Sequence, residues 1–208
     1  MRIQRLQTSG TVYTCNAWLV LGDWNRVEDV NALVDAGRDP AVIHDLLSAR
    51  TGVGKRKLDR VVLTHSHFDH VEMLPRLRKM FEPQVCGLAG GCVPLDRVLQ
   101  DGELIRLGDQ LFEVIALPGH TVDSLGLLHP SSGVLFSGDA PVLIHSPGGT
   151  YDPGFVGALE RLCQSDIGAI YPGHGEPVTE SCNARLRTSL TNVRASIGSR
   201  PVDKEFFA

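Results

Sequence analysis

Three histidines and one aspartate lie close together in the chain and carry the side chains that bind metal ions. His65, His67, Asp69 and His70 directly follow residues 58–64, an apolar run that predicts a buried strand. In extended backbone, residues two apart point to the same side, so the imidazoles of His65 and His67 can share one metal. Asp69 and His70 come where the chain turns into a helix and can face a second metal. The alternative is a solvated histidine-rich turn, but packing alone seldom produces this spacing.

The same residue types recur later in the chain in the same local setting. His120 follows a Pro-Gly pair, Asp139 follows a Ser-Gly pair and His174 follows another Pro-Gly pair, each just past an apolar segment. Glycine before a ligand lets the backbone bend sharply and approach closely, as a crowded metal site requires. This recurrence predicts metal ligands gathered at one rim of the sheets.

The elements that must position these side chains can be predicted from residue type and periodicity. Strands are predicted at residues 11–21, 30–35, 58–64, 84–88, 125–129, 133–137 and 169–171. Helices are predicted at residues 40–50, 71–81, 155–164 and 180–197. Two sheets packed together with helices outside, an α/β layered arrangement in one domain spanning residues 1–208, accommodate this order of elements.

Turn residues divide the stretches between these elements. Asp101-Gly102 and Gly108-Asp109 interrupt residues 95–117 and predict hairpin turns. Residues 140–154 are rich in Pro, Gly and Ser and predict a long loop. His145 and Tyr151 in this loop are predicted to contact substrate, since such loops commonly carry binding residues.

Composition excludes several classes of function. The 208 residues include 20 Lys and Arg against 24 Asp and Glu, a net charge of −4, with no basic block that would indicate nucleic acid or an anionic membrane as partner. No apolar run reaches the ~20 residues of a membrane span, and residues 1–8 lack the apolar core of a signal peptide. The 5 Cys form no CxxC pair and predict free thiols in the cytoplasm.

Five segments of the chain together resemble the metallo-β-lactamase superfamily. Residues 65–70 match its HxHxDH motif without a gap, and residues 118–121, 138–139 and 172–175 match its PGHT, GD and PGHG landmarks in the same order. Residues 34–37 match its upstream Asp-x-Gly element. The resemblance covers nearly the whole chain and implies an αββα four-layer sandwich of two mixed β-sheets with outer helices.

The resemblance also implies a ligand assignment and a chemistry of the glyoxalase II or lactonase kind. One metal would be held by His65, His67 and His120, the other by Asp69, His70 and His174, with Asp139 bridging them and Asp35 supporting the site. Such ligands suit zinc first, and iron or manganese otherwise. Two divalent ions, two aspartates and a bridging hydroxide sum to +1, a locally positive site in an acidic protein.

The predicted function is hydrolysis of an ester, thioester or lactone carbonyl of a small substrate by a metal-bridging hydroxide. Asp69 either orients the nucleophile and takes its proton or serves as a ligand only. An iron-dependent persulfide dioxygenase on the same fold is the alternative, because the spacing does not exclude it. A nuclease is disfavoured by the absence of a basic face. A homodimer is a further expectation.

Some residues depart from the family pattern or fall outside it. Glu72 and Asp123 stand where the family often has glycine. Glu72 is expected to favour the start of its helix, or else to acidify the entrance of the site. His44 and His129 are expected to have surface or packing roles.

Overall fold

The computed structural model describes residues 1–198, and its first sheet contains six strands. These are β1 (Arg2–Arg5), β2 (Trp18–Leu21), β3 (Ala32–Val34), β4 (Arg60–Val62), β5 (Gln84–Gly87) and β6 (Arg97–Val98), hydrogen-bonded in chain order. The pairs from β1 to β3 are antiparallel, and those from β3 to β6 are parallel. The sheet is therefore mixed.

The second sheet contains the other five strands of residues 1–198. These are β7 (Leu104–Leu107), β8 (Gln110–Ala116), β9 (Leu125–His129), β10 (Val134–Gly138) and β11 (Ala169–Pro172), in the order β11-β10-β9-β8-β7. All neighbours are antiparallel except β10 and β11, which run parallel. Parallel pairing brings the carboxyl ends of β10 and β11 to the same rim.

The described part of the chain has five helices, which lie on the outer faces of the two sheets or at their rim. They are α1 (Ala41–Ser48), α2 (Phe68–Val71), α3 (Leu74–Phe81), α4 (Pro153–Gln164) and α5 (Cys182–Gly198). None of the helices within residues 1–198 is both long and apolar enough to cross a membrane.

The core is divided into three layers by the alternation of side chains along the strands. In β2, Trp18 and Val20 face the layer between the two sheets, whereas Leu19 and Leu21 face the layer shared with α1 and α3. A third layer lies between the outer face of the second sheet and the helices α4 and α5, around residues such as Phe155. Helix, sheet, sheet and helix thus follow one another, and the predicted αββα sandwich is confirmed.

Two predicted elements are wrong in part. The predicted strand 11–21 is a strand only from Trp18 onward, because the backbone N–H groups of Cys15 and Asn16 bind the carbonyls of Asp69 and Gly173 instead of a ladder partner. The predicted helix 71–81 is divided into α2 and α3. Pro75 lies in the first turn of α3 and has no N–H to continue the helix from the preceding turn.

The two predicted turns also have different outcomes. Gly108-Asp109 joins β7 to β8 as a hairpin turn and is confirmed. Asp101-Gly102 leads from β6 in one sheet to β7 in the other, so the hairpin predicted there is wrong. The remaining elements agree within about two residues at most ends, although strands 30–35 and 58–64 are shorter than predicted. The predicted domain end at residue 208 lies outside the described residues.

Gly133, in the turn between β9 and β10, tests how closely this fold is packed. Its φ is +65°, and an added Cβ would overlap the carbonyl oxygen of Asp166. Gly133→Ala is therefore expected to destabilise the protein by about 3 kcal/mol, from backbone strain plus the overlap. Gly102→Ala is the matched control, because Gly102 has φ +80° with no atom within 4 Å and should cost about 1 kcal/mol. The free energy of unfolding is measured by urea denaturation. An equal decrease in the two variants would contradict the prediction.

Candidate metal centre

The segment after β4 presents its side chains in two different backbone conformations. His65 follows the strand, and His67 remains extended, with φ −65° and ψ 149°, as the residue that precedes α2. Asp69 and His70 then lie within the single turn of α2 and are buried. The backbone change from extended to helical directs the two pairs to different parts of one cluster, as the sequence predicts.

The other candidate ligands reach this cluster from the ends of strands. Asp139 directly follows β10, and His174 follows β11 after Gly173, whose N–H donates to the carbonyl of Gly138 over 2.8 Å. An added Cβ on Gly173 would overlap Asp139 Oδ1. The absence of a side chain at Gly173 is therefore what lets Asp139 turn into the cluster.

All of the candidate ligands predicted from the sequence meet in one place. The ligand atoms of His65, His67 and His120 lie within 4.8 Å of one another. Those of Asp69, His70 and His174 form a second group within the same limit. These two groups coincide with the ligand sets that the family resemblance implies.

Asp139 lies between the two groups. Its Oδ1 is 3.4 Å from His70 Nε2, and its Oδ2 is 3.4 Å from His174 Nε2 and 3.7 Å from His120 Nε2. Asp139 thus approaches both groups: Oδ2 lies near His120 of the first group, and the two oxygens lie near His70 and His174 of the second.

Several buried polar atoms at this centre have no hydrogen-bond partner among the described residues. They are His65 Nε2, Asp69 Oδ2, His70 Nε2 and Asp139 Oδ1. A buried polar atom without a partner costs about 1–3 kcal/mol, and native proteins contain few of them. Imidazole nitrogens and carboxylate oxygens that converge without partners are the donor set that divalent ions such as zinc prefer. The residues present therefore fit a metal centre.

Asp35 fixes the orientation of His70. Its Oδ2 accepts hydrogen bonds from His70 Nδ1 over 2.9 Å and from Thr64 Oγ1 over 2.8 Å, and its Oδ1 accepts one from Thr64 N over 2.7 Å. With the proton on Nδ1 directed at Asp35, the lone pair of His70 Nε2 points into the cluster. Asp35 thus lies beside a candidate ligand, where the resemblance implies a supporting residue, and Thr64, which the sequence did not indicate, binds the same carboxylate.

Burial and charge keep the cluster in a form that binds cations. Burial lowers the pKa of His65 to about 4, so its imidazole is neutral at neutral pH. Burial tends to raise the pKa of Asp139, but the neighbouring histidines, His70 first, outweigh it and hold that pKa below its usual value. Burial raises the pKa of the neighbouring Cys15 thiol to about 11, which keeps it uncharged.

Aromatic side chains that the sequence did not indicate border the open side of the cluster. The ring of Tyr13 stacks on His174 with centroids 5.2 Å apart, and its Oη lies 3.5 Å from His174 Nε2. Phe68 lies 6.5 Å from Tyr13 and carries the guanidinium of Arg38 over its ring at 5.3 Å. Tyr13 was missed because the predicted strand 11–21 placed it in a sheet, whereas the structure places it in a loop beside the cluster.

A cavity of about 340 Å³ adjoins the cluster at His120, Asp139 and His174. His145 and Tyr151, the predicted substrate contacts, are placed elsewhere. His145 lines a separate cavity against α5, and Tyr151 donates from its Oη to the carbonyl of Gly148 while its ring stacks on Phe155.

The two residues that depart from the family pattern have partners or neighbours of their own. Glu72 ends α2 and pairs with Arg38 over 2.8 Å, so its charge is balanced by a neighbouring cation. Asp123 is buried against Gly91, where an added Cβ would overlap its Oδ2. Glycine at position 91 therefore makes room for the larger side chain at position 123.

The sequence model described as the metallo-beta-lactamase superfamily matches residues 10–90 and 89–174. The chain therefore belongs to the metallo-beta-lactamase superfamily.

Curated relatives have a common name. A hydroxyacylglutathione hydrolase of Chromohalobacter salexigens is 35% identical over 124 residues, which are 59% of this chain and 46% of that protein. Another of Ruegeria pomeroyi is 31% identical over 178 residues, which are 83% of this chain and 67% of the relative. The chain thus spans about half to two thirds of the length of these relatives.

Solved structures of low sequence identity have the same fold. ETHE1 from Myxococcus xanthus superposes with a TM-score of 0.68 at 24% identity, covering 98% of this chain and 94% of that one. The BLEG-1 B3 metallo-beta-lactamase superposes with a TM-score of 0.67 at 18% identity. The match covers 94% of this chain and 99% of that one. Both agree with the sandwich described above.

Asp35→Asn tests the support of His70. Asp35 has φ +60°, a conformation that Asn tolerates better than most residues, so the backbone should be retained while the charge is lost. Zinc affinity, measured by calorimetric titration of the metal-free protein, is expected to fall about 10- to 100-fold. Asp39→Asn is the control, because the Asp39 carboxylate binds Ser9 and Ala41 and not a cluster residue. An unchanged affinity in Asp35→Asn would refute the supporting role.

Gly173→Ala tests the close approach of Asp139. The backbone of Gly173 is outside the left-handed region, so Ala is compatible with it, but the new methyl would displace Asp139 Oδ1. Zinc affinity should fall by at least about tenfold, with the far-ultraviolet circular dichroism spectrum unchanged. Gly175→Ala, where φ is +80° and no atom lies within 4 Å, should cost some stability but keep zinc affinity. The prediction fails if the two variants bind zinc equally.

Proposed function

We propose that this protein is a dinuclear metal-dependent hydrolase that cleaves an ester, thioester or lactone carbonyl of a small substrate. The observation that carries the proposal is the convergence of four buried atoms that have no hydrogen-bond partner within residues 1–198: His65 Nε2, Asp69 Oδ2, His70 Nε2 and Asp139 Oδ1. The names of the curated relatives support carbonyl hydrolysis, because an acylglutathione is a thioester.

The proposed ligands of one metal are His65, His67 and His120, and those of the other are Asp69, His70 and His174, with Asp139 shared. Zinc is the proposed metal, with iron or manganese as alternatives. When bound, such ions lower the pKa of a coordinated water and polarise the carbonyl of the substrate.

Differences in burial indicate how a substrate would approach. The side chains of His65 and His70 are buried, whereas those of His120 and His174 are 32% and 33% exposed. The carbonyl would therefore reach the centre from the side of His120 and His174, while His65 and His70 close the inner side. Tyr13, stacked on His174, lies on that approach.

Asp69 is the proposed general base. Its Oδ2 faces the cluster without a hydrogen bond and lies 3.0 Å from His174 Nε2. A carboxylate oxygen in that position can orient the attacking water, take its proton and return it to the leaving group. Asp139, whose pKa is held low by His70, stays ionised and shares its charge between the two ligand groups.

The environment proposed for the protein is the cytoplasm. Cys15, Cys86, Cys92, Cys163 and Cys182 are all free thiols, which supports a reducing compartment. The proposed partner is a small-molecule substrate, without nucleic acid. One domain over residues 1–208 and a homodimer remain predictions from the sequence.

The proposal is tested with metal-free protein reloaded separately with zinc, iron and manganese. Each form is assayed on a panel of thioesters, esters and lactones, beside oxygen uptake with glutathione persulfide. Hydrolysis that depends on added metal is expected. Oxygen consumption by the iron form without carbonyl hydrolysis would overturn the proposal in favour of a persulfide dioxygenase.

Asp69→Asn separates the role of base from that of ligand. If Asp69 takes the proton, kcat should fall about 10²- to 10⁴-fold while elemental analysis still finds metal, because the amide oxygen can bind an ion but the amide is not a base. Asp166→Asn is the control, because Asp166 lies near the opposite end of β11 from His174. Wild-type kcat in Asp69→Asn would refute the assignment, and a loss of kcat in step with lost metal would leave Asp69 a ligand only.

A further inference from the structure

The cavity beside the cluster has apolar walls. Its volume is about 340 Å³, which lies at the small end of the range for small-molecule sites. His120, Asp139 and His174 lie at one side, and the apolar side chains of the lining include Ala140, Pro141, Val142, Leu143, Ile170 and Val178. A group bound there would touch hydrocarbon while its reacting end stays next to the candidate ligands.

The lining offers no cation to an anionic substrate. Among the described residues that line this cavity, the ionisable ones are the three candidate ligands, and neither Lys nor Arg is among them. A carboxylate placed against these walls would lose its hydration without gaining a partner, which is costly. An aliphatic chain would instead gain about 25 cal/mol for each Å² removed from water.

The walls are held in place by hydrogen bonds from outside the cavity. Ile144, which follows the lining segment 140–143, donates from its N–H to Ser189 Oγ over 2.7 Å and accepts from Asn192 Nδ2 over 2.8 Å, both on α5. On the opposite wall, Ile170 and Val178 pair through both of their backbone groups. The cavity is therefore formed before a ligand enters, and ordering of the loop does not subtract from affinity.

We infer that this cavity binds an apolar, uncharged acyl chain and so determines the substrate class of the proposed hydrolase, on which this inference rests. The carbonyl carbon lies at the cluster, the acyl chain extends between the 140–143 segment and the Ile170–Val178 pair, and the leaving group remains on the open side near Tyr13 and Phe68. The enzyme therefore prefers branched or medium-length aliphatic acyl groups over acyl groups that end in a carboxylate.

The experiment compares two acyl groups of the same shape on one neutral thiol. The metal-loaded protein is assayed with the 4-methylpentanoyl, succinyl, acetyl and butanoyl thioesters of N-acetylcysteamine. Succinyl has the same branching as 4-methylpentanoyl but ends in a carboxylate. We expect kcat/KM to rise about fourfold for each methylene added from acetyl to butanoyl, and 4-methylpentanoyl to exceed succinyl by at least about tenfold. Equal or reversed preference would overturn the inference while leaving the hydrolase intact.

A charge added to the cavity wall should reverse this preference. Val178→Arg places a cation on the wall while its backbone pairing with Ile170 can persist, and it should raise the ratio of succinyl to 4-methylpentanoyl kcat/KM by at least about tenfold. Thr188→Arg adds the same charge on the separate cavity that His145 lines and should leave the ratio unchanged. A shift of equal size in both variants would overturn the inference.

A binding measurement keeps the inference separate from the proposed activity. If no thioester, ester or lactone is cleaved, the proposed hydrolase fails. Calorimetric titration of the zinc-loaded protein with 4-methylpentanoate and acetate then tests whether the cavity binds an apolar chain. At least about tenfold tighter binding of 4-methylpentanoate, lost in Val178→Arg and kept in Thr188→Arg, would uphold the apolar site. Equal affinities for the two acids would overturn it.

Discussion

The structure depends on one geometric constraint, that strand ends from two different sheets must meet at one rim. β4 belongs to the first sheet, whereas β10 and β11 belong to the second, and the central apolar layer holds the two sheets face to face. Val62 and Phe136 both contribute to that layer. Hydrophobic packing fixes the position of one sheet against the other, so the segments that follow these strands have fixed positions as well. The nitrogen and oxygen atoms of the cluster gather at those segments.

The convergence of these polar atoms destabilises the folded chain when no ion is bound. Unpartnered buried atoms on His65, Asp69, His70 and Asp139 oppose folding, and the apolar layers must compensate for them. Ions that bind the folded chain and not the unfolded chain would return part of this cost as stability. Stability and metal binding would therefore be coupled at one set of atoms. Gly173 has a direct part in that coupling because it leaves space for the candidate ligand Asp139.

Most of the fold and of the candidate ligands could be predicted because their signals are local. Alternation along extended backbone identifies His65 and His67, and apolar runs followed by glycine identify Asp139 and His174. Tyr13 and Thr64 could not be found in this way. Thr64 acts through an aspartate 29 positions earlier, and Tyr13 acts through a ring contact with a residue 161 positions away. Such contacts arise only after the sheets have packed, so residue type and spacing do not predict them.

The hydrogen bonds from α5 to the loop beside the cavity separate two properties of the molecule. Ser189 and Asn192 hold Ile144, and through it the segment 140–143, but the cluster itself is built from the ends of strands and from α2. Substitutions on α5 can therefore change the shape of the cavity beside the cluster without moving the candidate ligand atoms. Substrate range and metal retention can evolve on separate parts of the chain. Related proteins can therefore differ in substrate preference while they keep the same metal centre.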